Sequence, residues 1–221
     1  MIITLDGPAG AGKSSAARAL AARLGWCYMD TGAMYRSVTL VALERAIPLE
    51  DSPRIAALAM ELTISFANGR VLVDGRDVSQ EIRTEQITAA TRQVADAPAV
   101  RAAMKVIQRR LAAGLDIVTE GRDQGSEVFP GAELKVFLTA SPEERARRRQ
   151  QEEADRGRMT TLETVLVAQS RRDEADRVRP VGAMHPADDA VLLETDGLSR
   201  EQVVERLVEL VETRRRAAHG S

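Results

Sequence analysis

The chain has 221 residues, of which 44% are hydrophobic and 29% are charged, and its net charge at pH 7 is −2. This length suits one compact domain with a sizeable core, and this composition argues against extensive disorder. A charge this close to neutral lacks the positive excess typical of nucleic-acid binders, so we expect no nucleic-acid partner. The single cysteine, Cys27, excludes an internal disulfide, and we expect its small side chain to be buried.

The start of the chain does not read as a signal peptide, because Asp6 interrupts its apolar run almost at once. No other apolar run approaches the length that a bilayer requires. We therefore expect a cytoplasmic protein without a membrane partner. We also expect a monomer.

The basic residues are skewed towards arginine. Of 31 lysines and arginines, only Lys13, Lys105 and Lys135 are lysines. Arginine presents a planar fork that can bind phosphate with two hydrogen bonds at once. A compositional bias of the source genome would explain the total equally well, so the positions of individual arginines are more informative than their number.

Strands and helices alternate over the first part of the chain. Residues 2–6 form an apolar run closed by Gly7-Pro8, which predicts a buried strand. Residues 13–24 carry apolar side chains at helical spacing, with Gly25 placed as a stop. A second strand is predicted over residues 26–29 and a second helix over residues 31–45.

The pattern changes near residue 61. Residues 62–66 alternate in polarity, Asn68-Gly69 is typical of a hairpin turn, and the apolar residues 71–73 are followed by Asp74-Gly75. This predicts a small antiparallel sheet, which we place in an insertion over residues 60–92.

Alternation of helix and strand returns in the second half. Residues 84–114 are predicted to be mostly helical, residues 115–120, 134–138 and 190–194 to be strands, and helices to begin at Ser141 and Ser199. The whole pattern predicts an α/β fold with an open parallel sheet of about five strands and helices on both faces. A charged stretch with few apolar anchors predicts a short lid over residues 145–160.

The segment Gly7-Pro8-Ala9-Gly10-Ala11-Gly12-Lys13-Ser14 matches G-x-x-x-x-G-K-[ST] and lies between a predicted strand and a predicted helix. Backbone N–H groups of such a P-loop and the helix N-terminus bind phosphates. Lys13 is expected to reach the β- and γ-phosphates, and the Ser14 hydroxyl to help bind Mg²⁺. The predicted ATP-binding residues are Gly7, Pro8, Ala9, Gly10, Ala11, Gly12, Lys13, Ser14 and Ser15.

Two classes of P-loop protein then compete. A GTPase or motor ATPase would carry a base-reading or water-positioning motif, and the chain has neither an N-K-x-D-like nor a D-x-x-G element. A small-molecule kinase needs an arginine-lined acceptor pocket and a lid that excludes water. Paired arginines at several predicted strand and helix ends favour the kinase.

Three further motifs resemble successive signatures of the bacterial cytidylate kinase family of nucleoside-monophosphate kinases. They are Asp30-Thr31-Gly32-Ala33-Met34-Tyr35-Arg36, Glu120-Gly121-Arg122-Asp123-Gln124-Gly125 and Arg172-Asp173-Glu174-Ala175-Asp176-Arg177-Val178-Arg179. The resemblance implies a P-loop NTPase-type fold in which residues 60–92 bind the acceptor. It also implies transfer of the γ-phosphoryl group of ATP to CMP and dCMP, giving CDP or dCDP and ADP, with Mg²⁺ as cofactor.

By the same resemblance, the residues expected to contact CMP are Thr31, Arg36, Arg101, Arg122, Asp123, Arg172, Asp176 and Arg179. Arg36 and Arg122 would bind phosphate, and Asp123 would receive the ribose hydroxyls. The catalytic candidates are Lys13, Arg122 and Arg148. The last of these is one of five lid arginines that are candidate cations for the transfer, Arg145, Arg147, Arg148, Arg156 and Arg158.

Alternatives remain open for some of these residues. Arg172, Asp173 and Asp176 could form salt bridges along a helix surface, and Asp123 could cap a turn. Arg92 stands where the family usually has a serine that contacts the base, with Thr91 adjacent. The function also has alternatives: a kinase of the same fold for UMP or AMP, or a regulatory nucleotide-binding module.

Overall fold

The structure is a computed structural model that describes residues 1–67, 69–155 and 157–219, so Asn68 and Arg156 lie outside the described residues. Within these residues the strands are β1 (Ile2–Asp6), β2 (Cys27–Asp30), β3 (Ile64–Ala67), β4 (Arg70–Val73), β5 (Arg76–Asp77), β6 (Ile117–Glu120), β7 (Leu134–Thr139) and β8 (Val191–Glu194). The helices are α1 (Lys13–Leu24), α2 (Thr31–Glu44), α3 (Ser52–Glu61), α4 (Glu85–Asp96), α5 (Pro98–Ala112), α6 (Pro142–Asp155), α7 (Leu162–Arg177) and α8 (Arg200–His219). A 3₁₀ turn spans Glu81–Arg83, and a π-helical turn spans Gln124–Val128.

The chain divides into two compact units. The first unit contains Met1–Tyr28 and the described part of Leu115–Ser221, and the second contains Met29–Gly114. Strand β2 crosses the division. The predicted insertion at residues 60–92 falls within the second unit, which is larger because it also includes α2, α3 and α5.

A five-stranded sheet has the order β2-β6-β1-β7-β8. Strand β1 pairs in parallel with both β6 and β7, and β7 pairs in parallel with β8. The chain therefore has the open parallel sheet and alternating helices that its sequence predicts. Because parallel strands end at the same edge, the residues that follow β1, β6 and β7 are brought together there.

The two faces of the central strands differ in polarity. Ile3 and Leu5 point to one face and belong to a buried hydrophobic core with side chains of α1 and α8. Since side chains alternate along a strand, Thr4 points to the opposite face. Its register partners on the neighbouring strands are Thr119 and Lys135, and all three are buried. We call Thr4, Thr119 and Lys135 the polar layer.

Local signals fix the helix ends that the sequence predicts. Helix α1 ends at Gly25, whose φ of 69° is in the left-handed region that favours glycine. Helix α8 begins with a reciprocal capping box. The Ser199 hydroxyl accepts from the Gln202 amide at 3.2 Å, and the Gln202 side chain accepts from the Ser199 amide at 2.8 Å.

The second unit contains a separate antiparallel sheet of order β3-β4-β5, and β5 is a strand that the sequence did not predict. Helix α3 was also not predicted. Its start is capped by the Asp51 carboxylate, which accepts from the Arg54 amide at 3.2 Å. The single helical stretch predicted over residues 84–114 is two helices, because Pro98 holds Ala97 in an extended conformation.

Cys27 is exposed, so the expectation of a buried thiol was wrong. It is the first residue of β2, a strand at the edge of the sheet, where a side chain is less enclosed.

Among the described residues, no helix combines the length and the apolar composition needed to cross a membrane.

Candidate functional site

The P-loop joins β1 to α1, and close approach to the sheet requires glycine at its first position. Gly7 has a φ of 136°, and a Cβ atom there would lie 2.0 Å from the carbonyl oxygen of Leu138 on β7. Gly12, with a φ of 87°, directly precedes the first turn of α1. The unpaired N–H groups and the dipole at this helix N-terminus favour an anion.

Lys13 is buried at the start of α1, where its ammonium group donates to the Pro8 carbonyl at 2.8 Å. Burial, the positive charge of Arg122 and, to a smaller extent, that of Arg172 together lower the pKa of Lys13 to about 7, against the opposing effect of Glu120. The structure therefore brings three positive side chains close enough to interact beside the P-loop. Such a cluster is suited to binding a multiply charged anion.

Glu120, the last residue of β6, lies beside this cluster. One oxygen of its carboxylate accepts from the Ser14 hydroxyl at 2.7 Å and from the Tyr28 hydroxyl at 3.2 Å. Glu120 belongs to one of the family motifs, but no role was predicted for it from the sequence. Its position could have indicated a role in the site, because Glu120 ends a strand that pairs with the strand leading into the P-loop.

Asp6, the last residue of β1, is a second residue that sequence reasoning missed. Its two carboxylate oxygens accept from the backbone amides of Gln124 and Gly125, at 2.8 and 2.7 Å. Burial raises the pKa of Asp6 to about 6, although these hydrogen bonds and the charge of Lys13 oppose the rise and the charge of Asp123 adds to it. The carboxylate thus contacts the segment that follows Arg122 and Asp123.

Asp176 on α7 joins two of the predicted acceptor residues. Its carboxylate accepts from Arg122 at 2.9 Å and from Arg179 at 2.7 Å. Burial favours a higher pKa for Asp176, but the charge and hydrogen bond of Arg122 and the charge of Arg179 outweigh it, and the pKa is lowered. Asp176 therefore stays ionised near neutral pH and fixes both arginine forks.

Arg172 and Asp123 do not have the structural roles that the sequence left open for them. Arg172 is exposed and has no hydrogen-bond or ion-pair partner among residues 1–67, 69–155 and 157–219. It therefore forms no salt bridge with Asp176 one turn later. Asp123 precedes the π-helical turn but accepts no capping hydrogen bond with its side chain.

Two arginines of the predicted lid are engaged in structural contacts. Arg145 is buried and donates to the carbonyls of Ala9 and Ala140 and to the carboxylate of Asp173. Arg148 donates to the carbonyl oxygen of Thr195 at 2.7 Å and to its hydroxyl at 3.0 Å. Both side chains thereby connect α6 to other parts of the first unit.

The remaining predicted acceptor residues lie in the second unit. Thr31 and Arg36 are on α2, where Asp30 caps the helix by accepting from the Ala33 amide at 2.7 Å and lies 3.5 Å from the Arg36 guanidinium. Arg101 on α5 is buried, with its guanidinium 5.8 Å from the centre of the Tyr35 ring.

The departure from the family pattern at Arg92 lies on α4. Arg92 is exposed, and its guanidinium lies 3.7 Å from the carboxylate of Asp96 one turn later. The hydroxyl of the adjacent Thr91 donates to the Ile87 carbonyl at 2.6 Å. In this structure, both side chains make local contacts within their own helix.

A glycine-rich loop between the first strand and helix of a parallel sheet, with convergent cations beside it, defines a P-loop nucleotide-binding protein. The family model for cytidylate kinase matches residues 3–213. The chain therefore belongs to the cytidylate kinase family.

Similar proteins agree with this assignment. A cytidylate kinase of Rhodopirellula baltica is 51% identical over 211 residues, which cover 96% of this chain and 92% of that protein. A cytidylate kinase of Pelotomaculum thermopropionicum is 44% identical over 219 residues, 97% of each chain. The crystal structure of an uncharacterized protein from Eubacterium ventriosum matches with a TM-score of 0.54 at 11% identity, over 96% of this chain and 98% of that one, which shows a similar fold alone.

The lowered pKa of Lys13 predicts that ATP binding takes up a proton. At about pH 8 most Lys13 side chains are neutral in the free protein, since their pKa is about 7. Phosphate oxygens favour the charged ammonium and raise this pKa, so uptake should approach one proton per site. Isothermal titration calorimetry in two buffers of different ionisation enthalpy measures this number directly.

Lys13→Met is the control for this measurement, because it removes the titrating group and keeps the apolar stem. The proton uptake should disappear in this variant. An uptake equal to that of the wild type would show that another group titrates.

The buried ion pair of Arg145 and Asp173 predicts a large effect on stability. Asp173→Ala leaves the Arg145 guanidinium buried with only carbonyl partners, which should lower the free energy of unfolding by about 3–5 kcal/mol. Urea denaturation measures the loss. The matched control is Glu205→Ala, which removes the exposed partner of Arg23 and should leave the free energy of unfolding nearly unchanged. Similar effects of both substitutions would contradict this prediction.

Proposed function

We propose that this chain transfers the γ-phosphoryl group of ATP to CMP and dCMP, giving CDP or dCDP and ADP. As a member of the cytidylate kinase family, the chain is an ATP-dependent kinase that phosphorylates CMP. The observation that carries the detailed proposal is the convergence of Lys13, Arg122 and Arg172. One cation comes from the donor-binding loop, and the other two come from motifs expected to bind the acceptor.

The P-loop supplies the donor site in this proposal. Its backbone N–H groups and the N-terminus of α1 bind the phosphates of ATP, and the predicted donor contacts extend from Gly7 to Ser15. Lys13 moves its ammonium group from the Pro8 carbonyl to the β- and γ-phosphates. The contact with phosphate restores the charge that burial disfavours.

The acceptor contacts of the first unit are Arg122, Asp123, Arg172, Asp176 and Arg179. Asp176 holds the guanidinium groups of Arg122 and Arg179 in place, and these groups would donate to phosphate or to cytosine oxygen and nitrogen. Arg172 forms no hydrogen bond or ion pair among the described residues, so a phosphate would compete only with the longer-range attraction of Asp176 and Asp173. The buried Asp123 carboxylate receives the ribose hydroxyls.

The acceptor contacts that we propose in the second unit are Thr31, Arg36 and Arg101. The Nε atom of Arg36 is buried without a hydrogen-bond partner among the described residues, which supports a role in binding an anion. Arg101 is buried, and its stacking near Tyr35 fixes its side chain.

In the transfer, the bond from the γ-phosphorus to the bridging oxygen of ADP breaks, and a bond to a phosphate oxygen of CMP forms. The transition state carries its charge on the phosphoryl oxygens, so positioned cations contribute more than a strong base. Lys13 and Arg122 are the cations that we assign to this charge. Arg148 is the third candidate, since its guanidinium lies 3.9 Å from where a Cβ atom of Gly12 would be while it donates to Thr195.

The residues beside the P-loop fit Mg²⁺. The Ser14 hydroxyl and the Glu120 carboxylate are hard oxygen donors that lie 2.7 Å from each other. Mg²⁺ typically uses one or two such protein groups and completes its shell with phosphates and water. Mg²⁺ supplies charge neutralisation to the phosphates when it is bound.

We further propose that the protein acts as a cytoplasmic monomer and has no nucleic-acid partner. Its substrates are free nucleotides, and its net charge is −2. We also propose that residues 60–92 belong to the acceptor-binding subdomain and that residues 145–160 form a lid. The lid is supported by the connection between α6 and α7, where Met159 is 96% exposed.

Phosphoryl transfer across a panel of acceptors tests the function. With ATP as donor, CMP and dCMP should give higher kcat/KM than UMP or AMP, measured as ADP release. Lys13→Ala should abolish transfer, because the ammonium that neutralises the phosphoryl charge is lost, and its circular dichroism spectrum should match the wild type. Best turnover with UMP or AMP would reject CMP specificity, and ADP release that no acceptor stimulates would favour the regulatory module.

The role of Asp123 predicts a selective loss of acceptor binding. Asp123→Ala should weaken CMP binding by at least about tenfold, the effect of losing hydrogen bonds to a charged group, and should change ATP binding little. Titration calorimetry with each nucleotide separates the two effects. The control is Asp188→Ala, since this aspartate is exposed and outside the proposed site. Equal losses for both nucleotides would count against the assigned role of Asp123.

A further inference from the structure

We propose that Asp6 is a positioning residue for the acceptor, because it fixes the segment bearing Arg122 and Asp123 to the strand that leads into the P-loop. The inference rests on the proposed function, since it takes Arg122 and Asp123 as acceptor contacts. Asp6 itself touches neither nucleotide in this scheme. It acts through the backbone of the segment that it holds.

The hydrogen bonds of Asp6 define both the place and the direction of this segment. Its two oxygens accept from two consecutive amides, those of Gln124 and Gly125. A pair of bonds to one carboxylate restrains rotation as well as distance. Asp123 is bonded through its peptide to the first of these residues, so its position follows from the contact. Asp6 is also the residue immediately before Gly7, which places the donor loop and the acceptor segment on one support.

The polar layer of the sheet completes the support under this segment. The Thr119 hydroxyl donates to the side-chain oxygen of Gln124 at 2.9 Å. Gly125 lies so close to the sheet that a Cβ atom there would be 2.8 Å from the Thr4 hydroxyl and 3.2 Å from the Lys135 side chain. The segment therefore rests directly on β1, β6 and β7, and Asp6 provides its charged attachment.

The electrostatics of Asp6 argue against a purely stabilising role. Burial raises its pKa to about 6, so the ionised form is disfavoured relative to water despite two backbone hydrogen bonds. The charged groups that act on it are Asp123, which raises the pKa, and Lys13, which lowers it. A buried carboxylate that is not fully compensated is weak evidence for stability. Holding the acceptor segment is a role that an apolar residue at this position would not provide.

Asp6→Asn in the full chain tests the proposal. The amide keeps the shape and one acceptor but turns an N–H group towards one of the two backbone amides. The KM for CMP should rise by at least about tenfold, the order expected for a lost charge-assisted hydrogen bond. The KM for ATP should stay within about twofold of the wild type, because the P-loop contacts are retained.

Two further variants keep the test decisive if Asp6→Asn folds poorly. Thr119→Val removes only the side-chain bond to Gln124 and should raise the KM for CMP by a smaller factor, also with little change for ATP. Leu207→Ala is the control for general destabilisation, since Leu207 is buried in the core on the opposite face of the sheet. It should lower the melting temperature and leave the KM for CMP unchanged.

The pH dependence gives a readout that a merely structural role would not move. The ratio of the CMP KM of Asp6→Asn to that of the wild type should be largest near pH 8 and fall towards one below pH 6. Protonation of Asp6, whose pKa is about 6, then removes an acceptor from the wild type as well. The ionisation of CMP affects both proteins alike and cancels in the ratio.

The outcomes separate this proposal from the function on which it rests. A wild-type KM for CMP in Asp6→Asn, equal losses for ATP and CMP, or a ratio independent of pH would overturn the role of Asp6. A wild type that prefers UMP or AMP would overturn the proposed specificity instead. The same comparison of variants, run with the preferred nucleotide, would then decide the positioning role.

Discussion

Positive charges are crowded beside the P-loop, and the rest of the first unit has to compensate part of this charge. Lys13, Arg122 and Arg172 repel one another strongly enough to lower the pKa of Lys13 beyond the effect of burial. Carboxylates at the ends of neighbouring elements offset part of this charge: Glu120 at the end of β6 and Asp176 on α7. The remaining excess of positive charge is the property that a phosphate-binding site needs.

Parallel strand topology explains why so few elements are sufficient to build this arrangement. Strands β1 and β6 end side by side, so the P-loop and the segment containing Arg122 and Asp123 begin at the same edge of the sheet. The polar layer on one face of β1 then gives the second segment a surface to bond to. The opposite face of the same strand supplies the hydrophobic core with α1 and α8. One face of this short strand thus contributes to the hydrophobic core, and the other face supports the segment that contains Arg122 and Asp123.

Arginine chemistry accounts for both structure and function in this chain, and only contacts distinguish the two uses. Arg145 satisfies its guanidinium with two backbone carbonyls and the buried Asp173. Arg172, on α7, is exposed and forms no hydrogen bond or ion pair within the described residues. Membership in the cytidylate kinase family assigns the reaction, while these contacts indicate which cations are available to take part in it.

The sequence by itself determined the P-loop, the alternation of strand and helix, the antiparallel hairpin region and the family, because each depends on local spacing or on contiguous motifs. It did not determine α3, the break at Ala97 or the roles of Asp6 and Glu120. Single acidic residues at strand ends carry no periodic signal, and their partners Gln124 and Ser14 are more than a hundred residues away in the chain. Only the tertiary structure brought those partners within hydrogen-bonding distance, because pairing of β1 with β6 is a long-range event that local patterns do not encode.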